Sequence, residues 1–140
     1  MFYRLHYEGN EKVDKGKPAN ETVFQLQRDL MREITEQEDC VLIGRCADYI
    51  LNRSHVNMVS VFVTAPFDFR VMHMMASDNL TRRMAVIQTK KIDKRREEYY
   101  RYFTKQEWKN PDNYELMLNS AALGFDKSVD LLCDYYEHIL

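Results

Sequence analysis

Two short apolar runs, each followed by a helix pattern, are the feature that most constrains the fold. The runs are "CVLIG" at residues 40–44 and "VSVFVTAP" at 59–66, and they end in glycine and proline. Continuous apolar runs of this length are typical of strands buried on both faces, as in a parallel sheet. Amphipathic patterns follow both runs, in "ADYILNR" and "FDFRVMHMM". The order predicts an α/β fold with a parallel sheet flanked by helices in three layers.

The rest of the chain extends this alternation. We predict a first helix from an N-cap at Asn20, with Val23, Leu26, Leu30 and Ile34 as its apolar stripe. A long polar helix is expected over about residues 80–102, a third strand in "YELML", and a last helix over about 126–138. Residues 1–19 are interpreted as an irregular lead-in and residues 20–140 as one domain, since 140 residues suit a single core.

Arginines and polar groups are expected at the carboxyl edge of this sheet, where ligands bind in open parallel folds. Arg45 follows the glycine that ends the first run, and Arg70 begins the helix after the second. Asn119 and Ser120 close the third strand. Arg45 could equally be a structural surface arginine.

Positive charge is concentrated in residues 81–101. This segment has eight Lys or Arg and three Asp or Glu, while the whole chain has a net charge of −2. On a helical wheel Ala85, Ile92, Tyr99 and Phe103 form the apolar stripe, and Arg95 and Arg96 lie on its two margins. Lys90, Lys94 and Arg101 fall on the opposite face, which we interpret as a solvated, salt-bridged surface.

Guanidinium groups that converge from several segments suit phosphoryl transfer, because its transition state spreads negative charge over oxygens. Four tracts in order, "VLIGRCADYIL", "VFVTAPFDFR", "IQTKKIDKRREEYYRYFTKQEW" and "NPDNYELMLNSAALGFDKSVDLL", resemble the cytidylate kinase-like family of P-loop nucleoside monophosphate kinase relatives. The resemblance covers about residues 20–135. It implies an ATP-binding, nucleotide-binding transferase with a P-loop NTPase fold.

The resemblance also implies roles for individual residues. Arg45 would contact the phosphate of the acceptor nucleotide, and Arg70 would belong to the lid side of the transfer site. Arg95 or Arg96, with Arg101, would clamp phosphates, and Asp93 would orient these arginines or the base. ATP with Mg²⁺ would be the donor, and CMP or dCMP the acceptor.

The sequence departs from the family in the donor-binding part. No segment fits G-x-x-x-x-G-K-[ST], because the four glycines are Gly9, Gly16, Gly44 and Gly124. We therefore expect a chain that corresponds to the C-terminal two-thirds of such a kinase, as a fragment or degenerate copy without its own P-loop. The residues of a cofactor site are not identified. Open sheet edges would then favour self-association.

Other kinds of function find less support. The alternative is a non-enzymatic module that binds RNA or another polyanion through residues 81–101, but Glu97 and Glu98 interrupt the basic face, so nucleic acid is not the expected partner. The scattered histidines and three cysteines do not predict a metal site, and Cys46 is interpreted as a buried structural thiol. No segment is apolar enough to cross a membrane. We expect a cytoplasmic protein.

Overall fold

The computed structural model describes residues 2–3, 18–52, 54 and 56–139 of the chain. It divides into two compact units, Met1–Met58 and Val59–Leu140. It is a mixed α/β structure with short parallel strands and many helices, as the sequence predicts. None of the helices in the described ranges is long and apolar enough to cross a membrane.

The first unit contains two short strands and two helices. In chain order they are β1 (Phe2–Tyr3), α1 (Pro18–Gln37), β2 (Val41–Leu42) and α2 (Ala47–Leu51). β1 pairs with β2 in parallel, with Phe2 opposite Val41 and Tyr3 opposite Leu42. Backbone pairing therefore extends into the segment that the sequence suggests is irregular.

Helix α1 differs from its prediction in start and orientation. It begins at Pro18, a residue favoured in the first turn, so Asn20 lies inside the helix and is not its N-cap. Phe24 and Met31 are buried, whereas Leu26 and Leu30 of the predicted stripe are exposed. The buried row is rotated by about 100° from the predicted one, because adjacent rows of this helix both carry apolar side chains.

The second unit contains the other strands and helices. In chain order they are β3 (Val61–Thr64), α3 (Phe67–Asp78), α4 (Arg82–Thr104), a 3-10 turn (Pro111–Asn113), β4 (Leu116–Asn119), α5 (Ser120–Leu123) and α6 (Phe125–Ile139). β3 and β4 pair in parallel, from Val61 opposite Leu116 to Thr64 opposite Asn119. Both strands thus end at one edge, and α3 and α4 lie between them in the chain.

The core of the second unit forms where α3 packs against α4. Val71 and Ala85 are fully buried, and Tyr100 is 4% exposed. Ala85 of the predicted stripe is therefore confirmed as core, whereas Tyr99 and Phe103 are half-buried beside Tyr100. The α3–α4 turn has Asn79 in the left-handed region and Thr81 as the N-cap of α4, accepting a hydrogen bond from the Met84 amide.

The prediction that the strands are buried on both faces is wrong. Val41 is 50% exposed, Ile43 60% and Val63 56%. In the described residues each unit has one two-stranded parallel sheet. Side chains of a strand point to the two faces of its sheet, so these exposures show that the described elements do not fully cover both faces.

Candidate functional site

The turn after β2 has an unusual backbone. Gly44, Arg45 and Cys46 follow one another with φ of 75°, 56° and 57°, and the Ala47 amide donates to the Gly44 carbonyl at 3.1 Å. Left-handed conformations cost little for glycine but strain residues that have a Cβ. Two successive strained residues at a strand end are the kind of feature that clusters at functional sites. The half-buried Arg45 belongs to this first unit.

Cys46 has a structural role in this turn, because the turn places it in the interior, where it is 3% exposed. Burial and the nearby Asp48 carboxylate raise the pKa of the thiol to about 12, against a smaller opposing effect from Arg45. The thiol is therefore protonated at neutral pH. This confirms Cys46 as a buried structural thiol, leaving Arg45 as the polar group that the turn can present to a ligand.

The carboxyl end of β3 carries the best-defined polar arrangement. Arg70, in the first turn of α3, donates from Nη1 to both carboxylate oxygens of Asp93 on α4, at 2.7 Å each. Its Nε donates to the carbonyl of Ala65, directly after β3, at 3.0 Å. The side chains of Arg70 and Asp93 are 33% and 19% exposed. Arg70 is thus fixed by two partners, and a third of its side chain stays exposed.

Asp93 therefore orients Arg70, a residue of α3. From the family resemblance we expect it to orient the arginines that follow it on α4, or the base. Asp93 lies on the α4 face that packs towards α3, and an aspartate there can reach the first turn of the facing helix. Sequence spacing could not identify this pairing, because the two residues are 23 positions apart.

Phe67, the first residue of α3, has two cations close to its ring. The Arg70 Cζ is 5.6 Å from its ring centroid, and the Lys90 Nζ is 5.9 Å from the same centroid. The helical periodicity predicts that Lys90 belongs to a solvated outer face of α4. Lys90 is exposed, but its ammonium group lies at the Phe67 ring beside Arg70 and not among the salt bridges of that outer face. The sequence feature that could have indicated this position is that Lys90 lies three residues before Asp93 on α4, and therefore on a neighbouring part of the helix surface.

The remaining basic residues of α4 are exposed. Lys94 and Arg101 form the expected salt bridges within the helix, with Glu98 at 3.8 Å and Glu97 at 3.5 Å. Arg95 and Arg96 form no ion pair with any residue that the structure describes. At about 100° per residue Arg96 lies about 60° around the helix from Asp93, whereas Arg95 lies about 160° away. Helix geometry thus places Arg96 nearer the Arg70–Asp93 pair.

Polar groups at the end of β4 are used within the chain. The Asn119 side chain caps α5 by accepting from the Ala121 and Ala122 amides at 3.2 and 3.3 Å. The Ser120 hydroxyl donates to the Thr64 carbonyl at 3.3 Å. These bonds connect the ends of β3 and β4 and begin the helix that follows. They give both residues a structural role at the edge that holds Arg70.

The charged groups recorded at Phe67 and Arg70 include Lys90 and the carboxylate of Asp93. No group of three or more His, Cys, Asp or Glu within the described ranges could hold a metal ion. The carboxylate nearest the candidate site, Asp93, is already engaged by Arg70. What the arrangement can do is bind anions, because guanidinium groups match the geometry of phosphate oxygens.

Comparison with known proteins identifies the family. The chain belongs to the cytidylate kinase-like family, whose sequence model matches residues 1–122. This confirms the resemblance, and the matched range contains Arg45, Arg70, Asp93 and the basic residues of α4.

A crystal structure of an uncharacterized protein from Eubacterium ventriosum ATCC 27560 is similar to the chain, with a TM-score of 0.73 and 22% sequence identity. The match covers 92% of this chain and 75% of that one. At this identity the likeness establishes the mixed α/β fold alone. No curated protein matches the sequence.

Proposed function

We propose that this chain provides the acceptor-phosphate side of a cytidylate-type nucleoside monophosphate kinase, with a CMP-like or dCMP-like acceptor. The observation that carries the proposal is Arg70, held by Asp93 and the Ala65 carbonyl at the carboxyl end of β3. A guanidinium that is fixed in advance loses little conformational entropy when it binds an anion. Membership of the cytidylate kinase-like family supports phosphate as that anion.

In this proposal the fold is that of the P-loop nucleoside monophosphate kinases, with a three-layer parallel sheet. The mixed α/β structure and the parallel strands support it at a coarser level. Arg45 binds a monophosphate at the end of β2, and the two strained residues of its turn support a ligand-binding role.

Each residue near Arg70 has a distinct proposed part. Arg70 and Arg96 bind phosphate oxygens, and Asp93 is a positioning residue that acts through Arg70. Arg101 is less suited to this role, since it is paired with Glu97. Arg95 is a weaker candidate than Arg96, because it lies about 160° around α4 from Asp93.

ATP with Mg²⁺ is the donor that the family implies. The residues present do not fit this group, because the sequence lacks the Gly-rich phosphate loop and Asp93 is occupied by Arg70. The proposal therefore concerns the acceptor side, and no transfer step is derived for this chain. A cytoplasmic location and self-association through exposed strand residues belong to the same proposal.

A competition between two ligand classes tests this function against polyanion binding. Calorimetry would compare CMP with a cytidine-rich RNA oligonucleotide at 50 and 200 mM salt. We expect the affinity for CMP to depend only modestly on salt. The affinity for the RNA, divided by its number of phosphates, should not exceed that for CMP. RNA binding that is tighter than CMP binding and falls steeply with salt would favour the polyanion module instead.

A further inference from the structure

Lys90 and Arg70 converge on one aromatic ring at the end of β3. The Lys90 Nζ lies 5.9 Å and the Arg70 Cζ 5.6 Å from the centroid of Phe67. Phe67 begins α3, three residues after Thr64 ends β3. Two side chains from different helices therefore bring positive charge to the same strand end.

The two cations differ in their partners. Arg70 is neutralised by Asp93, whose two oxygens accept from it at 2.7 Å. Lys90 lies three residues before Asp93 on α4, a spacing at which an ion pair can form. Its ammonium group nevertheless lies at Phe67 and pairs with no carboxylate of the described residues. Together the three side chains carry one uncompensated positive charge.

A bound anion would neutralise the uncompensated positive charge of these side chains. The attraction of an aromatic face to an exposed cation is weak, so the Phe67 ring holds the Lys90 ammonium group only loosely. An anion that contacts both cations would offset the remaining positive charge, which Asp93 cannot do because it is already paired with Arg70. A phosphoryl group suits the space chemically, because it accepts bonds from a planar guanidinium and from a flexible ammonium at once.

We propose that Lys90 is a phosphate-binding residue that contacts, together with Arg70, the phosphoryl group of a bound ligand. The inference rests on the proposed function only for the nucleoside part of that ligand. Arg70 is the fixed member of the pair, since Asp93 and Ala65 hold it. Lys90 is the mobile member, and its long side chain moves from Phe67 towards the phosphate when the ligand binds.

Three variants on α4 test the proposal. Lys90→Gln removes the charge at nearly constant length, and Lys90→Arg keeps it. Lys94→Gln is the matched control, because it makes the same change one turn along the helix at a residue that is 75% exposed and paired with Glu98. The affinities for pyrophosphate, CMP and cytidine would be measured by calorimetry, after thermal melts have shown that the variants are folded.

We expect Lys90→Gln to weaken pyrophosphate and CMP binding about tenfold, the scale of one partly exposed charge-assisted contact. Lys90→Arg should stay within about threefold of wild type, and cytidine binding should not change. Equal affinities of Lys90→Gln and Lys94→Gln would overturn the inference. So would a wild-type chain that binds neither phosphate ligand.

The outcomes separate this inference from the proposed function. If the chain binds CMP no better than pyrophosphate and Lys90→Gln weakens both, Lys90 is a phosphate ligand and the nucleotide assignment fails. If CMP binds well and Lys90→Gln behaves like Lys94→Gln, the function stands and Lys90 has no part in it.

Discussion

Arg70 and Asp93 are 23 residues apart in the sequence, and two hydrogen bonds of 2.7 Å join one guanidinium nitrogen to both oxygens of the carboxylate. The pair connects the first turn of α3 to the middle of α4. It also orients the guanidinium that the proposed function requires. The contact therefore has a structural and a functional consequence, which can be measured separately.

Asp93→Asn tests the structural consequence. The substitution keeps the shape of the side chain and removes the charge, leaving Arg70 without its anionic partner. We expect the free energy of unfolding to fall by about 1 kcal/mol, since the pair is only partly exposed. Chemical denaturation would measure this. Glu98→Gln, which removes an exposed partner of Lys94, should change stability by less than about 0.5 kcal/mol. Equal stabilities of both variants would contradict a structural role for Asp93.

The α/β class and most helices were predictable, because their apolar patterns are local. The "FDFRVMHMM" and "YELML" patterns correspond to α3 and β4, for example. The buried face of α1 was not predictable from its pattern, since Phe24 and Leu26 lie on competing apolar rows and tertiary contacts select between them. The prediction of strand burial failed for a similar reason, because burial of strand side chains depends on which helices pack against the two faces of the sheet.

The candidate site was likewise only partly predictable from the sequence. Arg45 and Arg70 follow apolar runs, so their positions at strand ends could be predicted. The contact between Arg70 and Asp93 depends on how α3 packs against α4, and the position of Lys90 at Phe67 depends on the same packing. Helix periodicity places a residue on a face but does not say which neighbour that face meets.

Two substitutions at Arg45 separate backbone strain from side-chain function. Arg45→Ala and Arg45→Gly both remove the guanidinium, but only glycine adopts φ of 56° without strain. We expect the glycine variant to be more stable than the alanine variant by about 1 kcal/mol, and both to bind CMP more weakly by about 1.5–3 kcal/mol. Thermal melts and calorimetry would measure the two effects. CMP affinity at the wild-type level in both variants would contradict phosphate binding by Arg45.

Alanine substitution of two adjacent arginines tests the geometry of α4. Arg96 lies nearer the Arg70–Asp93 pair than Arg95 does, so Arg96→Ala should weaken CMP binding about tenfold or more. Arg95→Ala serves as the matched control and should change the affinity by less than about threefold. The reverse order would show that Arg95 is the phosphate ligand.

The buried Cys46 thiol predicts a loss of stability in alkaline solution. Burial raises the pKa of Cys46 from 9.0 to about 12 in the folded chain. The folded state therefore holds the thiol proton more tightly than the unfolded state, and stability from this group is complete below pH 9 and lost as the pH rises towards 12. Urea denaturation at several pH values should show a smaller decrease for Cys46→Ala than for wild type. Parallel curves would contradict the raised pKa.

The dependence on Arg70 of the chain's preference for CMP over cytidine tests the central claim most directly. Calorimetry would give the affinities of wild type and Arg70→Gln for CMP and for cytidine, two ligands that differ only in the phosphate. The account predicts that wild type prefers CMP at least tenfold, and that Arg70→Gln loses most of this preference while its affinity for cytidine stays unchanged. An equal preference for CMP in both proteins, or no preference in wild type, would contradict the assignment of Arg70 as a phosphate ligand.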